Sequence, residues 1–257
     1  MKERLDKIIV SKGFVRSREI AHSLIIEGKV FVDGKKITKP GTLFGETIDI
    51  FLKEPELPYV SRGGLKLDAA LDFFSVEVKD KVIMDVGSST GGFTDCLLKR
   101  GAKTVYCIDV GYGQLAWSLR TDPRVRVLER TNIRYLDSEI MKQDSKFAVP
   151  EFNDMVRGNI DMATIDVSFI SLTKVVPSVI KFLKEKGELL ALVKPQFEVG
   201  KGEVGKGGIV REEEKRLKAV EAVREDLETL GLRAVGMFQS PVHGQKGNIE
   251  CFLYMKR

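Results

Sequence analysis

From residue 81 onward, short apolar runs alternate with stretches of helical character, and this alternation restricts the fold more than any other feature of the chain. The runs are Lys81–Val86, Thr104–Val110, Val125–Leu128, Met162–Val167, Glu188–Val193, Ala234–Phe238 and Ile249–Met255. Between several of them lie Gly92–Arg100, Leu172–Lys186 and Glu212–Leu230, which read as helices. Near-continuous apolar runs suit strands covered on both faces, and strands separated by helices pair in parallel through crossovers. The pattern predicts an α/β fold, a Rossmann-like, mostly parallel sheet with helices on both faces.

The first fifty residues follow a different rule. Ser17 reads as the N-cap of a short helix with Ile20, Ala21, Leu24 and Ile25 on one face and Gly28 as its stop. Val30–Val32 and Lys35–Thr38 flank Asp33–Gly34, a preferred hairpin turn, and Thr47–Phe51 reads as a closing strand. Pro55 and Pro58 mark residues 53–60 as a linker. The expected organisation is a small α+β domain over 1–52, this linker, and the α/β domain over 61–257.

Charge separates the two parts as well. The chain carries +5, and residues 1–39 hold ten Lys/Arg against five acids, so the remainder is balanced. A basic head on a neutral body suits a nucleic-acid anchor, because Lys and Arg displace counterions from phosphates. An ordinary basic surface is the competing account. Lys12, Arg16, Arg18 and Lys29 are the candidate phosphate contacts on or near the short helix. Cys96, Cys107 and Cys251 lack metal-ligand spacing and sit in apolar surroundings, so structural thiols and no metal site are expected. The N-terminal residues lack the apolar stretch of a signal peptide, and no run is long enough to span a bilayer. A soluble cytoplasmic protein with no membrane partner is the expectation.

The first strand of the large domain runs into Asp85–Val86–Gly87–Ser88–Ser89–Thr90–Gly91–Gly92–Phe93, and the second ends at Asp109. A glycine-rich turn between strand and helix admits a nucleotide-like ligand close to the backbone, and a second-strand acid can accept from ribose hydroxyls. Candidate cofactor contacts are Asp85, Gly87, Ser89, Gly91, Gly92, Phe93 and Asp109. A dinucleotide is the rival ligand, but it favours G-x-G-x-x-G, and Ser89 stands at the second glycine position. A cationic sulfonium without phosphate, S-adenosylmethionine, suits this acid-flanked loop better.

The fourth strand ends in Asp166–Val167–Ser168–Phe169, without the proline pair usual in enzymes that methylate exocyclic amines. None of the cysteines has the setting of a pyrimidine-attacking nucleophile. What remains is a set of charges at strand and helix ends: Lys66, Asp166, Lys194 and Glu250. A ribose hydroxyl is a poor nucleophile until its proton is removed or its developing negative charge is stabilised, and a lysine can do either. Two lysines in one site would repel, and the two carboxylates would orient them and limit that repulsion. Each residue taken alone also reads as solvated surface or a strand cap. The stretch Phe197–Gly208, with five glycines and Lys201 and Lys206, reads either as a connector or as a mobile flap whose lysines meet phosphate.

Five segments in order carry a resemblance: Ser61–Leu67, Asp85–Phe93, Asp166–Ser171, Lys194–Glu198 and Lys246–Glu250. Together they resemble the TlyA (hemolysin A) family, whose catalytic domain is of the FtsJ-like ribose 2′-O-methyltransferase type. The head, from Arg4 to about Phe51, resembles the RNA-binding domain of small-subunit ribosomal protein four. The resemblance implies a Lys–Asp–Lys–Glu tetrad at Lys66, Asp166, Lys194 and Glu250, with Asp166 also on the cofactor side. It implies S-adenosylmethionine as cofactor, Asn132 as an adenine-side contact, and ribosomal RNA or ribosomal subunits as partner. Cytidine 2′-O-methylation is the implied activity. An inactive RNA-binding assembly factor and a membrane-active hemolysin are the alternative functions that the family name and fold leave open.

Overall fold

The computed structural model describes residues 2–15, 17–45, 47–53, 58–137, 139, 141, 152–200, 202–244 and 246–257. Arg16 and Lys201, two of the candidate phosphate contacts, lie outside the described residues. The chain divides into two compact units, Met1–Leu57 and Pro58–Arg257.

In the first unit, β1 (Glu3–Arg4) leads into α1 (Leu5–Ser11), followed by α2 (Arg18–Ile26). Ser17 caps α2 by accepting a hydrogen bond from the Ile20 amide. The hairpin of β2 (Val30–Val32) and β3 (Lys35–Ile37) turns at Asp33 and Gly34, both with positive φ, as a primed turn requires. After β4 (Leu43–Phe44), which pairs with β1, the chain returns as β5 (Ile50–Leu52) on the far side of β2. The closing strand thus starts later than the expected Thr47. Its start is set where Asp33 and Asp49 exchange hydrogen bonds across the turn. Leu5, Ile8, Ile9, Ala21, Ile25, Val30, Val32 and Ile50 form this unit's core.

The second unit opens with α3 (Arg62–Phe73), followed by β6 (Val82–Val86), α4 (Gly92–Lys99), β7 (Thr104–Ile108), β8 (Val125–Leu128) and β9 (Ile160–Ile165). β10 (Leu183–Val193), the helix Glu213–Thr229, β11 (Arg233–Gln239) and β12 (Cys251–Lys256) complete it. The strands form one sheet in the order β11-β12-β10-β9-β6-β7-β8, with β12 alone antiparallel to both its neighbours. One core cluster joins α3 and α4 to one face through Leu67, Leu71, Leu97 and Phe252. The other joins the helix Glu213–Thr229 to the opposite face through Val220, Val223, Leu227 and Leu253. The expected helix over Leu172–Lys186 does not form. The chain makes short turns at Leu172–Lys174 and Val176–Val179, then enters β10 at Leu183, which pairs with Ile160 of β9. Parallel pairing with a buried neighbour here outweighs local helical preference. Among the described residues no helix is long and apolar enough to cross a membrane.

The order of the sheet creates a switch point. From β6 the chain moves outward through β7 and β8, then crosses back to place β9 on the other side of β6. Crevices beyond the carboxyl ends of strands at such a point bind ligands in open α/β sheets. The residues after β6 and β9 are Gly87 and Asp166.

The small unit depends on a buried charge. Asp6 is 2% exposed and accepts from Arg4 Nε and Nη2, each at 3.0 Å, and from Arg18 Nη2 at 2.9 Å. The hydrogen bond from Arg4 and the second from Arg18 hold the Asp6 carboxyl well below the ordinary carboxylate range. Arg18, a candidate phosphate contact, therefore spends part of its guanidinium on the fold. Because the folded value is depressed, the Asp6 contribution is present above the unfolded value of about 3.9 and is lost as pH falls through the folded one. Asp6→Asn should cost roughly 1–3 kcal/mol at neutral pH. Urea unfolding followed by hydrogen exchange in residues 3–52 should show this difference shrinking from about pH 5 toward about pH 2. A cost that stays constant across that range contradicts the role given to the carboxylate.

Candidate active site

The cleft at the switch point has a volume of about 560 Å³ and lies wholly within the second unit. It gathers Lys66, Asp166, Lys194 and Glu250, which are separated by up to 184 positions in the chain. Lys66 projects from α3 and donates to Glu250 Oε2 at 2.6 Å; both residues are buried. Glu250 sits one residue before β12, where its carbonyl accepts from Ser240 N and fixes the backbone. Lys194 directly follows β10, and Pro195 holds it extended. Its ammonium lies 2.6 Å from Asp166 Oδ1 and donates a hydrogen bond to Ser168 Oγ at 2.8 Å. Asp166 Oδ1 is an ion-pair partner here, without the alignment of a hydrogen bond. Each lysine thus has its own carboxylate, which offsets the repulsion between the two ammonium groups.

The glycine loop forms the opposite wall. Gly87, Ser89, Gly92 and Phe93 line the cleft. Gly87 has φ +83, and a Cβ there would meet the Asp166 carbonyl oxygen at 2.7 Å. Gly91 takes the left-handed conformation as N-cap of α4, but a Cβ on it would strike Leu119 and Leu115 rather than the cleft. A Cβ on Gly92 would stand 2.9 Å from the Gly64 backbone nitrogen, so this glycine serves the close approach of α3 and α4. Asp109 is not among the lining residues. Its Oδ2 accepts from Ser89 N at 2.8 Å and its Oδ1 from Gly111 N at 2.7 Å, which ties the second strand end to the loop. Asn132 lies after β8, where its side chain caps the turn Ile133–Tyr135.

Asp85, a second acid expected beside the ligand, is also absent from the cleft lining. It is fully buried and accepts from Thr94 Oγ1 at 2.6 Å and from Thr164 Oγ1 at 3.1 Å. Burial pushes its carboxyl up to about 7. Its side chain points into the sheet because residues alternate along β6, and it braces α4 and β9 beneath the loop.

Several lining residues had no role assigned from sequence. Arg62, Ser168, Phe169, Gln196, Lys246 and Asn248 all face the cleft. All fall inside the five segments that carry the family resemblance, which was the available signal. Phe169 is 88% exposed, has φ +64, and lies 5.0 Å from the Phe197 ring. Asn248 is buried and holds the glycine-rich stretch at its far end, accepting from Val210 N and donating to Gly208 O. Gly205 and Ile209 close a turn beside it, and Lys206 is exposed on that turn. The stretch is tied down at this end. Among the described residues no three His, Cys, Asp or Glu side chains are arranged to hold a metal ion.

Comparison with known proteins finds relatives over nearly the whole chain. Residues 59–257 match the FtsJ-like methyltransferase family, and residues 3–46 match the S4 domain. The chain is 44% identical over 254 residues to the 16S/23S rRNA (cytidine-2′-O)-methyltransferase TlyA of Mycobacterium tuberculosis, covering 98% of this chain and 89% of that protein. It is 40% identical over 247 residues to hemolysin A of Brachyspira hyodysenteriae, covering 96% and 97% of the two chains. A solved structure from Streptococcus thermophilus superposes with a TM-score of 0.72 at 40% identity, over 100% of this chain and 88% of that one. The chain belongs to the TlyA (hemolysin A) family, in which an S4 domain precedes an FtsJ-like methyltransferase domain.

Proposed function

We propose that the protein transfers a methyl group from S-adenosylmethionine to the ribose 2′-hydroxyl of a cytidine in ribosomal RNA. The observation that carries this reading is the pairing of Lys66 with Glu250 and of Lys194 with Asp166 in one cleft beside the glycine loop. The cofactor, when bound, supplies a methyl group activated by the sulfonium charge. The chain's residues fit such a group. Gly87 leaves its wall free of a side chain, and Asp109 keeps lone pairs for ribose hydroxyls beyond those used by Ser89 and Gly111. Asp166, which is partly exposed, faces the same cleft with a negative charge suited to a cation. Ser89, Gly91, Gly92 and Phe93 shape the loop, and Asn132 would stand on the adenine side.

On this reading Lys194 and Lys66 act on the target hydroxyl. One lysine donates to the 2′-oxygen as its negative charge grows, the hydroxyl proton passes to water in the open cleft, and the carboxylates hold both ammonium groups in direction. Placing oxygen and methyl in line supplies much of the remaining rate. The exposed ring of Phe169 offers a stacking surface for an unpaired base, the form in which RNA sequence is usually read. The head over residues 1–52, joined by the linker 53–60, would bind RNA phosphate through Lys12, Arg16, Arg18 and Lys29, with Lys201 and Lys206 of the large domain as further phosphate contacts. Lys12 is exposed and spends one hydrogen bond on Ile48 O, whereas Lys29 pairs with Glu27. A ribosomal RNA substrate implies a cytoplasmic location.

Lys194→Ala should abolish methyl transfer to ribosomal RNA while cofactor affinity stays nearly unchanged. A radiolabelled-methyl assay run beside calorimetry checks this; loss of transfer accounted for by lost cofactor binding would sink the assignment. An inactive assembly factor would show no transfer in the unaltered protein.

Asp109→Ala should weaken cofactor binding by an order of 1.5–3 kcal/mol, through the lost charged acceptor and the freed Ser89 amide. Unchanged affinity by calorimetry would move the ribose contact elsewhere.

A further inference from the structure

We infer that Ser168 is a positioning residue that sets the direction of the Lys194 ammonium, so that one N–H remains for the ribose oxygen. The inference rests on the reading that Lys194 acts on that oxygen, and it adds a fifth polar member to the site. An ammonium carries three N–H donors and no acceptor. Asp166 Oδ1 attracts the Lys194 ammonium at 2.6 Å, and Ser168 Oγ accepts from it at 2.8 Å. With Ser168 accepting one N–H and the Asp166 charge holding the nitrogen in place, the directions of the remaining N–H groups are set by tetrahedral geometry. A lysine held by Asp166 alone could turn about its last bond and spread its charge over several orientations.

Asp166 cannot supply that direction unaided, because its Oδ1 stands beside the ammonium without the alignment of a hydrogen bond. Ser168 can, because its own placement is constrained. Asp166 N donates to Val86 O, which anchors the chain two residues upstream of Ser168. Phe169, directly downstream, adopts φ +64, a conformation costing a bulky residue about 1–2 kcal/mol and retained only where neighbours enforce it. The turn that carries Ser168 is also tied to the turn that follows Lys194. Glu198 Oε1 accepts from Leu172 N at 2.9 Å, and the Phe169 and Phe197 rings lie 5.0 Å apart. Serine and lysine are thus mounted on two turns that are held to each other. Ser168 is itself exposed to the cleft, which leaves room for one extra methyl group.

Without this acceptor the ammonium is free to turn about its last bond, so Ser168→Ala should lower kcat about tenfold, the rate equivalent of one hydrogen bond to a charged group, with KM for RNA and cofactor affinity unchanged. Ser168→Thr, which keeps the hydroxyl, should restore most of the rate. A second measurement does not need turnover: nitrogen-detected NMR should show a slowly exchanging Lys194 ammonium in the unaltered protein and in Ser168→Thr, and should lose it in Ser168→Ala. Unchanged kcat in Ser168→Ala overturns the inference, as does an ammonium resonance indifferent to the substitution. Absence of methyl transfer in the unaltered protein would instead remove the parent reading, while the resonance still decides whether Ser168 orders the lysine.

Discussion

The site depends on how closely two parallel strands approach at their carboxyl ends. Beyond β6 and β9 the backbones of Gly87 and Asp166 are so near that a single Cβ on Gly87 would stand 2.7 Å from a carbonyl oxygen. This contact is backbone against backbone, so no side chain can rotate to relieve it. It brings the loop that would face the cofactor against the strand end that carries Asp166. Lys194 then follows from the next strand, because β10 pairs in parallel with β9 and ends one residue before it. Lys66 and Glu250 approach from α3 and from the start of β12. Four charges from four places in the fold thus meet in one cleft.

Gathering those charges has a cost that pairing offsets. A buried lysine or glutamate without a partner would be strongly destabilising, whereas a paired one is close to neutral for stability. Lys66 and Glu250 are both nearly excluded from water and hydrogen-bonded to each other. Their value therefore lies in direction rather than in stability. Two of the residues that line the cleft also carry local strain, Ser89 at φ +47 and Phe169 at φ +64. Non-glycine residues in that conformation persist where the surroundings over-determine them, as at functional sites.

Much of this was legible in the order of residues, and the exceptions have physical causes. The parallel strands were readable because most of their residues are buried and apolar, with few polar interruptions. α3 was not, since it begins Arg62–Gly63–Gly64, a poor start by helix propensity. Those glycines serve packing instead: Gly64 lies against Tyr59, and its backbone nitrogen approaches Gly92. The stretch Leu172–Lys186 misled because its apolar residues suit either period, and the arbiter was pairing with β9 across the sheet. Asp85 shows a role that its place in the sequence did not reveal. An acid before a glycine loop reads as a ligand contact, but strand alternation turns this one inward to Thr94 and Thr164. Arg18 carried no warning that a buried Asp6 would claim it. Such tertiary pairings are invisible to charge counting.

The central claim is that this cleft delivers a methyl group to a ribose oxygen. Nucleoside mass spectrometry of ribosomal RNA treated with the purified protein and isotopically labelled S-adenosylmethionine tests it most directly. The account predicts the label on the sugar of cytidine, in a dinucleotide that resists alkaline cleavage because its 2′-oxygen is blocked. Label on a base, or none on RNA that the protein binds, would contradict it.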